Sequence, residues 1–295
     1  MASSQYDLRE LNLQSGDMRA TVRPDLGGCL TGLWYAGLEI LRSTPASSLD
    51  SVRQSACFAM VPYSNRLGHG RFNWLGQTHT TRLNFPNSPH SLHGVGWQRP
   101  WTADQVTNNS VRLRYSHKPD GDWPFAFVVE QHIELEPKAM CLQMNMRNTD
   151  ARTQPAGLGW HPYFVRREGA KLDIELTSRW DKDASELPLT ETPVDGLHAQ
   201  VAELDLDHCF TGWSGVARLS DSQMVCSLHS DLRWLVAFTP PERNFYCVEP
   251  VSHRIDAVHS QDPLAEGLVP LAPGANLQAQ MRLQIEQREI GRAHV

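Results

Sequence analysis

The chain of 295 residues predicts an all-β protein, built as one large antiparallel β-sandwich with a few short helical turns. Three observations carry this expectation. Met140, Leu142, Met144 and Met146 alternate with Cys141, Gln143 and Asn145, which is the period of a strand with one buried face. No long segment repeats apolar residues at helical spacing. Clusters of Gly, Pro, Asn and Asp separate the alternating runs, as turns between antiparallel strands do. Many strands without intervening helices argue a sandwich rather than alternating β and α units.

The elements follow in chain order. Residues 19–22 read as an early strand and 57–61 as a buried one. Val111, Leu113 and Tyr115 alternate with Arg112 and Arg114. Strands are expected at 125–135, 172–177, 224–229, 234–239 and 245–248. Leu277, Ala279, Met281, Leu283 and Ile285 alternate with four polar residues, three of them Gln. Short helical turns are expected near 263–267. No linker or repeat divides the chain, so residues 5–287 read as a single domain. The tail 288–295 follows a finished strand. Its last seven residues, Glu289-Ile290-Gly291-Arg292-Ala293-His294-Val295, resemble the in-frame translation of a sequencing-library adaptor and are expected to carry no function.

Composition narrows the function classes. There are 27 basic and 33 acidic residues, a formal net charge of -6, and no basic run. Nucleic acid is therefore not an expected partner. No apolar stretch approaches the roughly 20 residues of a membrane helix. The N-terminus has neither a basic nor an apolar signal-peptide region. The six cysteines form no close pair and most lie in apolar runs, which points to reduced, buried thiols and a cytoplasmic protein.

The chemistry-bearing residues gather in a few stretches. Gly157-Leu158-Gly159-Trp160-His161-Pro162-Tyr163-Phe164 sets an imidazole among glycines and aromatic rings. A histidine there can exchange a proton near neutral pH, or can be a hydrogen-bonded core residue. Trp160 and Tyr163 offer flat apolar faces with polar handles. Glu249 follows the apolar run 245–248, and a carboxylate at the end of a buried strand is costly unless solvated, paired or functional. Desolvation would raise its pKa toward that of a general base, whereas an ion pair with Arg254 would make it structural. His93 precedes Gly94-Val95-Gly96-Trp97, a turn that could bring backbone to a ligand. His90 lies three residues earlier, but Pro86 and Pro89 oppose the helix that would join the two histidines at a metal. Asn65-Arg66 lies in a polar loop, and Arg66 has planar donors suited to paired hydroxyls. Asp207 offers a two-oxygen acceptor, or a turn cap.

The ordered set Asn65-Arg66 with Gly70-Arg71-Phe72, Leu92-His93-Gly94, His161-Pro162-Tyr163-Phe164, Asp207 with Phe210, Glu249-Pro250 and Asp256-Ala257 resembles the aldose 1-epimerases. The resemblance spans roughly residues 18–287. It implies the large galactose mutarotase-like supersandwich, a sugar cleft, and no cofactor or metal in the chemistry. It implies His161 as general acid on the ring oxygen, Glu249 as general base on the anomeric hydroxyl, and His93 as an orienting or polarising group. Asn65, Arg66 and Asp207 would hold hydroxyls, with Trp160 and Tyr163 beside the sugar. The expected activity is interconversion of the α and β anomers of a free hexose, by a monomer or homodimer with no membrane partner.

Two departures bear on the substrate. Val165-Arg166-Arg167 follows Tyr163-Phe164 where galactose-specific members commonly have Asn-Leu, and Val251 follows Glu249-Pro250 where they commonly have Gln. Arg166, Arg167 and Arg254 are cationic candidates for an anionic sugar, or solvated surface charges. The alternatives are thus an epimerase of a phosphorylated or sulfonated sugar, and a non-catalytic carbohydrate-binding protein on the same scaffold.

Overall fold

The computed structural model describes residues 10–286. The expected domain limits at 5 and 287, and the tail 288–295, lie outside those residues. Two large antiparallel sheets pack face to face. The nine-stranded sheet runs in the order Thr102–Asp104, Ser110–His117, Phe127–Glu136, Ala139–Asn148, Asn276–Glu286, Val225–Ser230, Val216–Ser220, Lys171–Ile174, Leu197–Gln200. Its two most regular apolar runs are neighbours: Met140 faces Leu283, Leu142 faces Met281, and Met144 faces Ala279. This register aligns the apolar side chains on one face.

The second sheet has eleven strands. Its centre joins Leu38–Leu41, Gly159–Val165, Phe245–Val251, Trp234–Phe238 and Asp207–Thr211. Val22, Leu33, Trp160, Leu235 and Val248 of this sheet share one continuous core with Met140, Leu142 and Leu283 of the other. A second, smaller cluster covers the opposite face of the eleven-stranded sheet. It contains Phe58, Met60, Trp97, Tyr163, Cys209, Cys247 and Val251. Alternation along the strands divides the residues between the two clusters.

The strand Gly159–Val165 has no clear alternating signature, because Gly159 and Pro162 both weaken strand propensity. Its pairing changes at Pro162, where the missing N–H is tolerated. Residues 159–162 pair with the strand Cys57–Met60, and Phe164 pairs with Leu41. The strand expected to end near residue 248 continues to Val251, so Glu249 is mid-strand rather than terminal. At 263–267 the chain makes hydrogen-bonded turns, not a helix, with Glu266 N–H donating to Asp262 O and Gly267 N–H to Leu264 O. Among the described residues the helical turns are instead six short 3₁₀ segments elsewhere, including Val52–Gln54 and Gly96–Gln98. All six cysteines are free thiols, and five are buried. No described helix is long and apolar enough to cross a membrane.

Candidate active site

The register that sets Gly159 against Val251 and Tyr163 against Cys247 puts His161 across from Glu249. Residues two apart on a strand leave the same face, so His161 and Tyr163 join Cys247 and Glu249 on the side away from the inter-sheet core. His161 Nε2 lies 3.3 Å from Glu249 Oε1. Glu249 is 1% exposed and His161 8%. Among the described residues, Glu249 Oε2 and His161 Nδ1 have no hydrogen-bond partner.

Burial pushes the Glu249 carboxyl well above the usual carboxylate range, and Asp207 adds to the rise while Arg66 opposes it. Burial likewise holds His161 well below the ordinary imidazole value, reinforced by His93 and Arg42. Both members of the pair are therefore driven toward their neutral forms. The ring of His161 is fixed between Phe58, with centroids 4.8 Å apart, and Tyr163, stacked at 4.4 Å.

A loop layer supplies the facing wall. The short strands Arg66–Leu67 and Ser91–Leu92 pair, with Arg66 opposite Leu92. Asn65 and His93 flank this ladder in left-handed backbone at φ 55° and 60°. Asn65 N–H donates to His93 Nδ1 at 3.2 Å, and His93 N–H donates to Asn65 O at 2.8 Å. With Nδ1 accepting, a neutral His93 carries its hydrogen on Nε2 and is a donor there. Burial, aided by Arg66, lowers its pKa to about 3. His93 stands edge-on to His161 with centroids 5.3 Å apart.

Arg66 donates to Asp207 Oδ2 at 2.9 Å and to Asn65 Oδ1 at 3.2 Å. Lys182 donates to the same Asp207 oxygen at 2.8 Å. Burial would raise the Asp207 pKa, but Arg66 and Lys182 outweigh it and the net shift is downward. Asp207 is thus a carboxylate held between two cations. Glu186, on the hairpin joining Ser178–Lys182 to Pro188–Pro193, pairs with Lys182 and lies 3.5 Å from Arg66.

Seven of the eight expected residues, His161, Glu249, His93, Asn65, Arg66, Asp207 and Tyr163, therefore gather on one side of the eleven-stranded sheet. Trp160 does not. It points to the other face, is 0% exposed, and donates from Nε1 to Gln131 Oε1 at 2.8 Å. Strand alternation forces this: if His161 leaves the face that carries Glu249, Trp160 must face the core. Arg254 does not pair with Glu249. It pairs with Glu266 at 3.2 Å and covers the Trp180 ring. Arg166 donates to the Pro241 carbonyl at 2.8 Å, and Arg167 pairs with Asp221 at 2.8 Å. Neither belongs to the wall around His161.

His90 is engaged apart from His93. Its Nδ1 accepts from His69 N–H at 3.0 Å and its Nε2 donates to Ser185 O at 2.6 Å. The protein's own packing requires the glycines. A Cβ on Gly94 would lie 2.2 Å from Val61 O, and one on Gly157 would lie 2.0 Å from the His253 ring. Asp256 is also structural, accepting from Gly68 N–H at 2.8 Å and so tying down the loop that carries Arg66.

Four residues of the site carried no distinct signal. Phe58 and Cys247 lie in apolar runs that read as core. Arg42 sits 3.9 Å above the Tyr163 ring, and Lys182 joins Asp207, yet both are single charges in unremarkable stretches. The broad grooves on the outer face of the nine-stranded sheet, lined by residues such as Arg114, Glu130 and Arg147, lie on a different sheet from the His161–Glu249 pair.

Comparison with known proteins addresses the family and the fold. The sequence profile of the family described as aldose 1-epimerase matches residues 9–284. YphB of Escherichia coli K12, an uncharacterized protein, is 27% identical over 93% of this chain and 98% of its own. A crystal structure from Escherichia coli K12, described as a candidate aldose 1-epimerase, superposes with a TM-score of 0.87 at 26% identity, covering 95% of this chain and 99% of that one. Galactose 1-epimerase from Lactobacillus acidophilus NCFM shares the fold, with a TM-score of 0.78 at 16% identity and 97% of each chain covered. The match over residues 9–284 establishes that the chain belongs to the aldose 1-epimerase family.

Proposed function

We propose that this protein interconverts the α and β anomers of a free hexose or a close relative by opening and reclosing the sugar ring. The observation that carries this reading is the contact of His161 with Glu249 at 3.3 Å in a buried, hydrogen-bond-poor site. Hemiacetal opening needs one group to take the proton of the C1 hydroxyl and another to protonate the ring oxygen. Glu249 takes the first role and His161 the second. The C1–O5 bond breaks, the open-chain aldehyde rotates about C1–C2, and reversed proton transfers close the ring on the other face. General acid–base catalysis of this kind contributes about 10²–10⁴-fold.

The protonation states are consistent around the cycle. The reactive pair is a carboxylate and an imidazolium, and ring opening turns it into a carboxylic acid and a neutral imidazole. These two states hold the same number of protons. Burial favours the neutral pair, so the same desolvation that perturbs both groups favours the open-chain side of the step. His93, held neutral, is positioned to donate a hydrogen bond to the ring oxygen without competing as an acid. Asn65, Arg66 and Asp207 supply donors and acceptors for hydroxyl groups, and Tyr163 supports the His161 ring.

A second reading, an anionic sugar, has one observation in its favour. Lys182 adds a cation beside Arg66, and the partly exposed Glu186 neutralises it in this structure. An anionic substituent could replace Glu186 there. A panel of pure α-anomers, neutral and anionic, followed by polarimetry or NMR tests both readings. Conversion of a neutral hexose well above the spontaneous rate supports the first. Preference for a charged sugar supports the second. Tight sugar binding without conversion of any member would leave only a carbohydrate-binding protein.

A further inference from the structure

Cys247 is a buried thiol that the proton transfers above do not use. It lies two residues before Glu249 on the strand Phe245–Val251, so both side chains leave the same face. A ring nitrogen of His161, the Cys247 sulfur and a Glu249 carboxylate oxygen all lie within 4.8 Å of one another. The His161–Glu249 edge is already 3.3 Å. Ligand atoms around tetrahedral Zn²⁺ are separated by about 3.3–3.7 Å, given Zn–N, Zn–O and Zn–S bonds of about 2.0–2.3 Å. A modest inward movement of the thiol would complete one face of such a tetrahedron. Independently, Glu249 is 1% exposed and its Oε2 has no partner, so unused acceptor capacity is buried at this point.

We propose that His161, Cys247 and Glu249 form a site for a soft divalent cation, Zn²⁺ or Cd²⁺, that blocks the sugar site. Thiolate, imidazole and carboxylate are a set that suits such ions. One thiolate and one carboxylate balance the two positive charges of the ion. The thiol proton, and any proton held between His161 and Glu249, leave to solvent, and nothing is oxidised or reduced. Three protein ligands leave a fourth position for water. The bound ion occupies both groups that the proposed function requires for proton transfer, so it inhibits. This inhibitory consequence rests on that function, whereas the binding itself does not.

The test begins with metal-free protein titrated with CdCl₂, reading the ultraviolet thiolate-to-cadmium charge-transfer band. The expected result is a one-equivalent band in the wild type that is lost in Cys247→Ser and retained in Cys141→Ser. Cys141 is the control because it is the one half-buried thiol and lies beside Glu136 and Arg282. If Cys247→Ser fails to fold, Cys247→Ala replaces it. In parallel, ZnCl₂ should inhibit anomer interconversion by the wild type. Cys247→Ser should need at least about tenfold more zinc, since even residues behind a ligand shell change metal affinity about 10–100-fold. No cadmium band, a band that survives in Cys247→Ser, or one abolished by Cys141→Ser overturns the site. Should no sugar be converted at all, the cadmium result still decides whether the ion binds.

Discussion

Glu249→Gln keeps the side chain's size and its place mid-strand but removes its ability to carry a proton to and fro. In the wild type this carboxyl is 1% exposed, sits 3.3 Å from His161 Nε2, and leaves Oε2 without a partner. The amide preserves contact with His161 but would end the base catalysis proposed for Glu249 at the anomeric hydroxyl. The expected loss in kcat is about 10²–10⁴-fold, which corresponds to about 2.7–5.5 kcal/mol of transition-state stabilisation. KM should change far less, because Arg66, Asp207 and Asn65 still present their polar groups.

Stability should move in the other direction, or not at all. A buried carboxyl whose only salt-bridge partner among the described residues is a histidine makes little net contribution to folding, and its ionised form is costly to bury. Gln removes that cost while keeping the volume. The assay is polarimetry of a freshly dissolved α-anomer, with spontaneous mutarotation subtracted, beside a thermal melt of the same sample. Inactivity with an unchanged or higher Tm is the expected pattern. A folded variant with near-normal kcat would refute the role of Glu249. Inactivity accompanied by a large fall in Tm would show that the residue supports the fold instead.

Other perturbations separate the parts of the site. Lys182→Ala should reduce kcat/KM for an anionic sugar more than for its neutral parent if the anionic reading holds, while Arg166→Ala and Arg167→Ala should not discriminate, because both arginines are occupied away from the wall; paired kinetics with the two sugars would expose the opposite pattern. EDTA treatment should leave turnover intact, since the two proton transfers need no Lewis acid, and activity lost to EDTA but restored by zinc would contradict the mechanism. His253 is buried and neutral, donating from Nδ1 to Arg254 O at 2.7 Å and accepting Ser64 N–H at Nε2, with burial lowering its pKa from 6.5 to about 4. The unfolded chain therefore takes up this proton first as pH falls below 6.5, and folding stability declines from there toward pH 4. The loss attributable to His253 between pH 7 and pH 5 is about 2 kcal/mol, so His253→Gln should show a shallower fall in urea midpoint over that interval, and an unchanged slope would exclude the histidine as its source.

The fold was legible wherever strand periodicity met strong side-chain contrast. The runs at 140–146 and 277–285 are clean alternations because one face is core and the other is solvent, and they turn out to be adjacent strands in matching register. Gly159–Val165 escaped that test for the converse reason. Covered on both faces, it has no polar side to alternate, and Gly159 and Pro162 further mask it. The same double burial hid the continuation of Phe245–Val248 through Glu249 to Val251. Residue chemistry marked these segments, but periodicity could not.

The site shows where a one-dimensional reading stops. His161 and Glu249 were identifiable because a titratable group in an apolar run is energetically conspicuous. Trp160 was misplaced by the same proximity that made His161 noticeable: adjacent residues in the chain become residues on opposite faces once the strand is known. Lys182 and Arg42 were invisible because a single cation in a mixed stretch is ordinary. Their importance arises only when the sheet brings Lys182 to Asp207 and Arg42 over Tyr163. Asp207 illustrates the general point. Alone it is a plausible turn cap, and beside one arginine a plausible salt bridge. Between Arg66 and Lys182 it stays ionised despite burial, while Glu249, within the field of that retained charge, is driven toward its neutral form. Two carboxyl groups of similar intrinsic acidity thus acquire opposite protonation preferences from their neighbours. In the proposed mechanism that difference would let one grip hydroxyl groups as a fixed acceptor while the other exchanges a proton, and only the folded arrangement of strands far apart in sequence creates it.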